Sequence, residues 1–184
     1  MSSLVLVRHA MPVVDPASPA HEWPLSSDGR ADALRLVPLL PSGALLVASD
    51  EPKAYQTLEG AGPVVRDARF GEVRRTGEPW DGPFRELRRA YVEGTAHRGW
   101  EPHASVVARF DAAISEHGGA AGGRALVVAS HGMAMTVWLT ARFGLPQPGR
   151  FWSELRFPDA YAVDLAASSA DTALTRLDFS ADLG

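Results

Sequence analysis

Three short segments of this 184-residue chain are almost continuously apolar, without the polar alternation of a half-exposed strand. They are Ser3 to Arg8, Ala44 to Ser49 and Arg124 to Ser130. Strands covered on both faces in a parallel sheet have this pattern. Weaker patterns predict two further strands, from Pro63 to Asp67 and from Tyr161 to Leu165.

A last strand is predicted from Thr172 to Leu177, antiparallel to the segment before it across a turn at Ser168-Ser169. Helical patterns lie between the strands, bounded by capping serines, first-turn prolines and terminal glycines. They run from Ser26 or Ser27 to Leu40, from Pro52 to Glu59 before Gly60, from Pro102 to the breaker Gly118-Gly119, and from Gly132 to Phe143 before Gly144. The alternation predicts an α/β fold, a three-layer α/β/α sandwich with a mainly parallel, Rossmann-like sheet in a single domain, residues 1–184.

Residues 74–100 do not follow this alternation. They mix prolines and glycines with aromatic and arginine side chains, which is typical of an insertion over a functional site, and they predict one short helix from Phe84 to Val92. The aromatic residues either line a pocket or pack the insertion onto the sheet; they are Trp80, Phe84, Tyr91 and Trp100. The arginines that can reach an acidic group of a ligand are Arg75, Arg85 and Arg88.

Charge and composition exclude several classes of protein. The chain has 18 Lys+Arg, 22 Asp+Glu and no cysteine, and its net charge is −4. Disulfides, thiolate metal ligands and a cysteine nucleophile are therefore excluded, and net acidity argues against nucleic acid or an anionic membrane as a partner. No apolar run approaches the ~20 residues that cross a bilayer, so we expect a cytoplasmic protein. Arginine supplies every positive side chain except Lys53.

Two of the apolar strands end in histidine, the first in Arg8-His9 and a later one in Ser130-His131. Ligands of open parallel sheets bind outside the carboxyl ends of the strands, so both histidines can face one site if their strands are neighbours. His131 also stands at a helix start, which favours an anion. Either histidine alone has a structural alternative, a hydrogen-bonded ring at a strand end. The remaining histidines are predicted to be exposed; they are His21, His97, His103 and His117.

Four motifs follow one another from residue 8 to residue 132. They are Arg8-His9-Ala10; Ala48-Ser49-Asp50 with Lys53-Ala54-Tyr55-Gln56-Thr57; Asp67-Ala68-Arg69-Phe70 with Glu72; and Ser130-His131-Gly132. In this order they resemble the signatures of the histidine phosphatase superfamily, the phosphoglycerate mutase-like proteins. Two shorter matches are Pro24-Leu25-Ser26 through Gly29-Arg30 and Gly99-Trp100-Glu101 through Arg109. The chain departs from the family at Ala10, at Trp100-Glu101-Pro102 and at Lys53, where a point charge replaces the planar fork of an arginine.

The resemblance implies a phosphatase that hydrolyses a small-molecule phosphate ester through a phosphohistidine on His9. Arg8, Lys53 and His131 would then surround the transferred phosphoryl group, with His9 itself part of the same phosphate site. Glu72 would protonate the leaving oxygen and later deprotonate water. Its alternative is a solvated surface charge beside Arg74 and Arg75. No cofactor is implied.

Two other functions stay open, and a metal site is a further, disfavoured alternative. A phosphoglycerate mutase would use the same residues but return the phosphoryl group to an acceptor instead of water. A non-catalytic protein would bind a phosphorylated ligand without turnover, and the substitution at Lys53 is the feature that suggests it. A metal site of His9, His131 and Glu72 is disfavoured because no close ligand spacing such as H-E-x-x-H occurs.

Overall fold

The computed structural model describes residues 3–76 and 82–178. Within these ranges, six strands form one sheet: β1 (Leu4–Arg8), β2 (Leu45–Ala48), β3 (Val64–Arg66), β4 (Leu126–Ser130), β5 (Asp159–Val163) and β6 (Leu174–Arg176). Their order across the sheet is β3-β2-β4-β1-β5-β6. The first four pair in parallel, and β5 and β6 are antiparallel at one edge.

Side chains of β1 alternate between two hydrophobic cores, one on each face of the sheet. Leu4 and Leu6 belong to the larger core, and Val5 and Val7 belong to the smaller one. Because successive side chains of a strand point to opposite faces, a strand buried on both sides has to be apolar throughout. This explains the continuous apolar runs of the sequence.

Helices cover both faces of the sheet, so the predicted three-layer sandwich is confirmed. The smaller core is covered by α1 (Ser27–Leu36) and α2 (Pro52–Leu58). The larger core is covered by α3 (Phe84–Val92), α4 (His103–Ala120), α5 (Gly132–Phe143), α6 (Pro148–Glu154) and α7 (Ala170–Ala173). No helix in the ranges 3–76 and 82–178 is long and apolar enough to cross a membrane.

Several boundaries differ from those predicted. The first helix ends at Leu36 and continues to Leu39 only as a 3-10 turn that contains Pro38. Helix α4 passes through the glycine pair that was expected to end it, and β5 begins two residues before the predicted strand. Helix α2 ends at Leu58, and the turn that follows passes through Gly60. Helix α6, seven residues that begin at Pro148, was not predicted.

Part of the predicted insertion, residues 74–100, is built into the larger core. Tyr91 on α3 is 1% exposed, and its hydroxyl donates a hydrogen bond of 2.7 Å to the carbonyl of Glu101. An antiparallel bridge between Arg75 and Trp100 closes the base of the segment. For Tyr91 the packing interpretation is therefore correct, whereas Trp80 lies outside the described residues.

Three of the four histidines predicted to be exposed are half-buried, and only His21 is exposed. Each of the three places Nε2 against an oxygen that is distant in sequence: His97 against Leu87, His103 against Tyr91, and His117 against the carboxylate of Asp67. The prediction failed because these partners lie 10 to 50 residues away along the chain.

The start of α1 fixes the loop that follows the first histidine motif. Ser26 caps the helix by accepting a hydrogen bond from the backbone N–H of Gly29, and the Ser26 hydroxyl donates to the carbonyl of Met11. A Cβ atom on Gly29 would lie 2.1 Å from that same carbonyl oxygen. Gly29 is therefore required for a close backbone approach behind His9.

Replacing Gly29 with alanine should destabilise the protein by about 2 kcal/mol or more, because the clash is with backbone and cannot be relieved by a side chain. Gly118→Ala is the matched control, since Gly118 is also helical and nothing lies within 4 Å of its missing Cβ. That change should stabilise by ~0.5–1 kcal/mol. Urea unfolding measures both, and equal effects would contradict this account of α1.

Candidate active site

The two histidine motifs meet because β1 and β4 are adjacent, parallel and in register, with Arg8 opposite Ser130. The backbone N–H of His9 donates to the carbonyl of Ser130 over 3.1 Å, which extends the strand pairing by one residue. The ring centroids of His9 and His131 are 5.1 Å apart. Both residues are buried, with 6% and 0% of their surface exposed.

His9 is held in one tautomer. Its Nδ1 lies 2.8 Å from the carbonyl oxygen of Ala10, and because a carbonyl only accepts, Nδ1 carries the proton. The other ring nitrogen, Nε2, then keeps its lone pair. Burial lowers the pKa of His9 well below its ordinary value, and the neighbouring charges of His131 and Lys53 lower it further. His9 is therefore neutral at neutral pH, as a nitrogen nucleophile must be.

The Ala10 carbonyl is itself fixed by the second motif. The N–H of Ala10 donates to the hydroxyl of Thr57 over 2.9 Å, and that hydroxyl donates to the carbonyl of Lys53 over 2.7 Å. The amide oxygen of Gln56 accepts from the backbone of Leu25 and reaches Arg30 on α1. These bonds hold α2 against the loop that carries His9.

Arg8 is a positive charge at the floor of the site. Its Nη1 donates to the carbonyl of Leu155 over 2.7 Å, and its guanidinium lies 3.5 Å from the ring centroid of Phe157. A Cβ on Gly132 would lie 3.3 Å from the guanidinium, so glycine lets Arg8 approach the start of α5. Burial lowers the pKa of Arg8 to about 10, and the residue stays charged at neutral pH.

Three buried nitrogens of the site have no hydrogen-bond partner within the described part of the chain: Nε of Arg8 and both ring nitrogens of His131. Buried donors are nearly always paired, so a group of unpaired ones indicates a missing acceptor. They lie at the N-terminus of α5, where the helix dipole favours negative charge. The site is built to receive an anion.

Glu72 lies against the start of α5. Its carboxylate accepts backbone hydrogen bonds from Ala134 and Val73 at 2.9 Å and from Met133 at 3.3 Å. Burial alone would raise the pKa of Glu72, but the charges of His131 and Arg75 and the hydrogen bond from the N–H of Val73 lower it. The alternative of a solvated surface charge is wrong.

Lys53 reaches the site from α2, and its side chain is buried. Its Nζ donates to the carbonyl of Ala20 over 2.6 Å and to Oε2 of Glu51 over 2.5 Å. The other oxygen of Glu51 lies 3.3 Å from Nε2 of His131, close but without hydrogen-bond geometry, and accepts from the backbone N–H of Glu72 over 3.0 Å. The structure thus brings together the five site residues predicted from the sequence, which are Arg8, His9, Lys53, Glu72 and His131.

Glu51 is the site residue that sequence reasoning missed. Burial would raise the pKa of Glu51, but the charges of His131 and Lys53 lower it. Its presence two residues before the chain's single lysine was the one available signal. Nothing in the motif pattern assigned it a role.

The loop of Glu72 is supported by Glu101 and Arg109, which lie in one of the shorter sequence matches but were assigned no role there. Glu101 is 6% exposed and forms an ion pair of 2.9 Å with Arg109 of α4. The same guanidinium donates to the backbone carbonyls of Arg69 and Gly71 over 2.6 and 2.8 Å. Because Arg109 binds main-chain oxygens, it fixes the course of the loop whatever side chains the loop carries.

Comparison with known proteins identifies the family. Residues 4–175 match the sequence model of the histidine phosphatase superfamily, branch 1. The chain belongs to this superfamily, whose membership supports enzyme chemistry of the phosphatase or mutase type. No curated protein matches it in sequence.

Solved structures share the fold. A mycobacterial glucosyl-3-phosphoglycerate phosphatase bound to inorganic phosphate is 20% identical, with a TM-score of 0.68 over 89% of this chain and 90% of its own. YhfR from Bacillus stearothermophilus is 20% identical, with a TM-score of 0.69 over 89% and 92%. TTHB049 from Thermus thermophilus is 24% identical, with a TM-score of 0.64 over 96% and 98%.

The described residues contain no group of three or more histidine, aspartate or glutamate side chains placed to hold a metal ion. The set considered from the sequence, His9, His131 and Glu72, does not form such a group. Instead, Glu72 binds backbone N–H groups.

The low pKa values of His9 and His131 make stability depend on pH. Unfolded histidines take up protons below about pH 6.5, whereas these two resist protonation in the folded protein. The free energy of unfolding therefore keeps the full contribution of these histidines above about pH 6.5. It falls as the pH drops below that value, by up to about 1.4 kcal/mol per pH unit for each histidine. Replacing His9 with glutamine should remove one histidine's share of this slope in urea unfolding between about pH 5 and 6.5; an unchanged slope would contradict the assigned environment of His9.

Proposed function

We propose that this protein is a phosphatase that hydrolyses a small-molecule phosphomonoester through a phosphohistidine on His9. One observation carries the proposal. His9 presents a neutral Nε2 because Nδ1 donates to Ala10, and it does so beside buried donors of Arg8 and His131 that lack an acceptor. A nucleophile and a set of unpaired anion donors in one site are what phosphoryl transfer requires.

In the first step, Nε2 of His9 attacks phosphorus and the bond to the leaving oxygen breaks. The proton on Nδ1 stays hydrogen-bonded to the Ala10 carbonyl, which stabilises the positive charge that the ring acquires. Arg8, Lys53 and His131 surround the phosphoryl oxygens and balance their negative charge. In the second step, water attacks the phosphohistidine and releases phosphate and neutral His9.

Glu72 serves as the acid of the first step and the base of the second. In the free protein it is a carboxylate, since its pKa is lowered. A bound phosphate dianion places a like charge beside it, which favours protonation of Glu72. The carboxylate is then ready to protonate an alkoxide and, once ionised again, to take a proton from water.

The substrate carries a second acidic group in this proposal. The charge of Arg75 acts on Glu72 and His131, and that of Arg88 acts on Arg8, so both arginines lie near the phosphate site. They belong to the segment 74–100, which differs in composition from the rest of the chain. A phosphate ester with a carboxylate, or with a second phosphate, fits such a border.

His9→Gln should abolish release of p-nitrophenol from p-nitrophenyl phosphate, because the glutamine amide has no nucleophilic nitrogen to attack phosphorus. After rapid quenching, base-stable and acid-labile phosphate should be trapped on the wild-type protein and not on the variant. His21→Gln is the matched control, since the side chain of His21 is exposed and belongs to none of the motifs. Full turnover by the His9 variant would overturn the mechanism.

Two other results point to other functions. Phosphohistidine that forms but passes its phosphoryl group to an acceptor such as a phosphoglycerate, in preference to water, identifies a mutase. Wild-type protein that binds phosphate esters but forms no phosphohistidine with any of them identifies a binding protein.

Glu72→Gln should separate the two steps by the leaving group. With p-nitrophenyl phosphate, whose leaving group departs unprotonated, the pre-steady-state burst should be nearly normal. With an alkyl phosphate the burst rate should fall by about 10²- to 10⁴-fold, which is the usual contribution of a general acid. Equal losses with both substrates would show that Glu72 does not supply the proton.

A further inference from the structure

The carboxylate of Glu51 lies where an anion would be expected. It touches the ammonium of Lys53, Nε2 of His131 and the backbone N–H of Glu72, at 2.5, 3.3 and 3.0 Å. Lys53 and His131 are two of the groups that the proposed mechanism assigns to phosphate. A carboxylate and one edge of a phosphate both present two oxygens to such donors.

The charges of the site show how Glu51 weakens its attraction for a phosphate. Arg8 and Lys53 are positive, Glu51 and Glu72 are negative, and the charges of Arg75 and Arg88 also act on these groups. The two carboxylates therefore offset part of the positive charge of the site. A phosphate dianion entering this buried site is attracted less than the cations alone would attract it, and it lies beside a carboxylate that is bound to Lys53 and close to His131.

We propose that Glu51 determines the affinity of the site for phosphate by competing with it for the ammonium of Lys53 and for the place beside Nε2 of His131. A phosphoryl group occupies these donors only after the carboxylate has turned away or has taken up a proton. The identity of the ligand rests on the proposed function, but the competition concerns any phosphate that enters the site.

The geometry allows the side chain to move without the backbone. The N–H of Glu51 donates to the hydroxyl of Ser49 over 3.2 Å, and Pro52 follows directly, so the main chain at the start of α2 is fixed. The side chain of Glu51 is 12% exposed, whereas that of Lys53 is 7% exposed and that of His131 is 1% exposed. It thus lies at the border of the site and has a path to solvent.

The groups facing Glu51 come from three parts of the fold: Lys53 on α2, His131 before α5, and Glu72 after the 3-10 turn Ala68–Phe70. The charges of Lys53 and His131 and the backbone N–H of Glu72 favour the ionised carboxylate of Glu51, whereas the side-chain charge of Glu72 opposes it. At neutral pH, ligand entry therefore requires Glu51 to move, whereas in acid solution protonation releases its donors.

The test is the binding of inorganic phosphate, measured by isothermal titration calorimetry at neutral pH. Glu51→Gln keeps the shape of the side chain and an acceptor for Lys53, and it should bind phosphate about tenfold more tightly or better. Asp50→Asn is the matched control, because it removes the same charge from the exposed neighbouring residue. It should leave phosphate affinity unchanged.

Two further measurements make the outcome decisive. Lys53→Met in the Glu51→Gln background should lose most of the gain, because the donor that phosphate recovers is missing. The ratio of wild-type to Glu51→Gln affinities should approach one as the pH falls, since protonated Glu51 no longer competes. If Glu51→Gln and Glu51→Ala both bind phosphate no more tightly than the wild type, Glu51 only positions Lys53 and the proposal is wrong.

The experiments distinguish a failure of the proposed competition by Glu51 from a failure of the proposed phosphatase function. Phosphate binding needs no turnover, so tighter binding by Glu51→Gln together with no phosphohistidine on any substrate would uphold the competition and refute the phosphatase. Phosphohistidine on His9, together with an unchanged phosphate affinity of Glu51→Gln, would uphold the phosphatase and refute the competition.

Discussion

The in-register pairing of β1 with β4 is the constraint on which the site depends. These strands are separated by more than 100 residues in sequence, yet Arg8 stands opposite Ser130, and the next residue of each strand is a histidine. A slip of one residue would turn every side chain of a strand to the other face of the sheet. Both cores prevent such a slip, because Leu4 and Leu6 fill one and Val5 and Val7 fill the other. The packing of the interior therefore sets the position of the chemistry at its edge.

Around that fixed pair, the remaining groups are positioned through backbone atoms. Ala10 orients His9, Thr57 orients Ala10, and Arg109 binds the carbonyls of the loop that carries Glu72. Contacts of this kind tolerate changes of side chain in the loops themselves. Structures that are only 20% identical share the fold over about nine-tenths of this chain.

The sequence predicted those features that are local. Continuous apolar runs identify strands covered on both faces, and motifs at strand ends identified His9 and His131 because their neighbours along the chain are informative. Features that depend on contacts between distant segments were not predictable. Arg109 reaches carbonyls some 40 residues away, and the ring of His117 finds Asp67 across 50 residues. Gly118 failed as a helix breaker because tertiary packing outweighs a helix propensity of about 1 kcal/mol.

The burial of Tyr91 has a consequence for how this protein can diversify. Its ring is part of the main core and stacks on His103 with centroids 4.2 Å apart, while its hydroxyl is bonded to Glu101. Helix α3 therefore forms part of the interior as well as part of the surface. Removing or exchanging the whole helix would open the core, so changes on α3 that keep the fold are confined to point substitutions on the side that faces away from Tyr91.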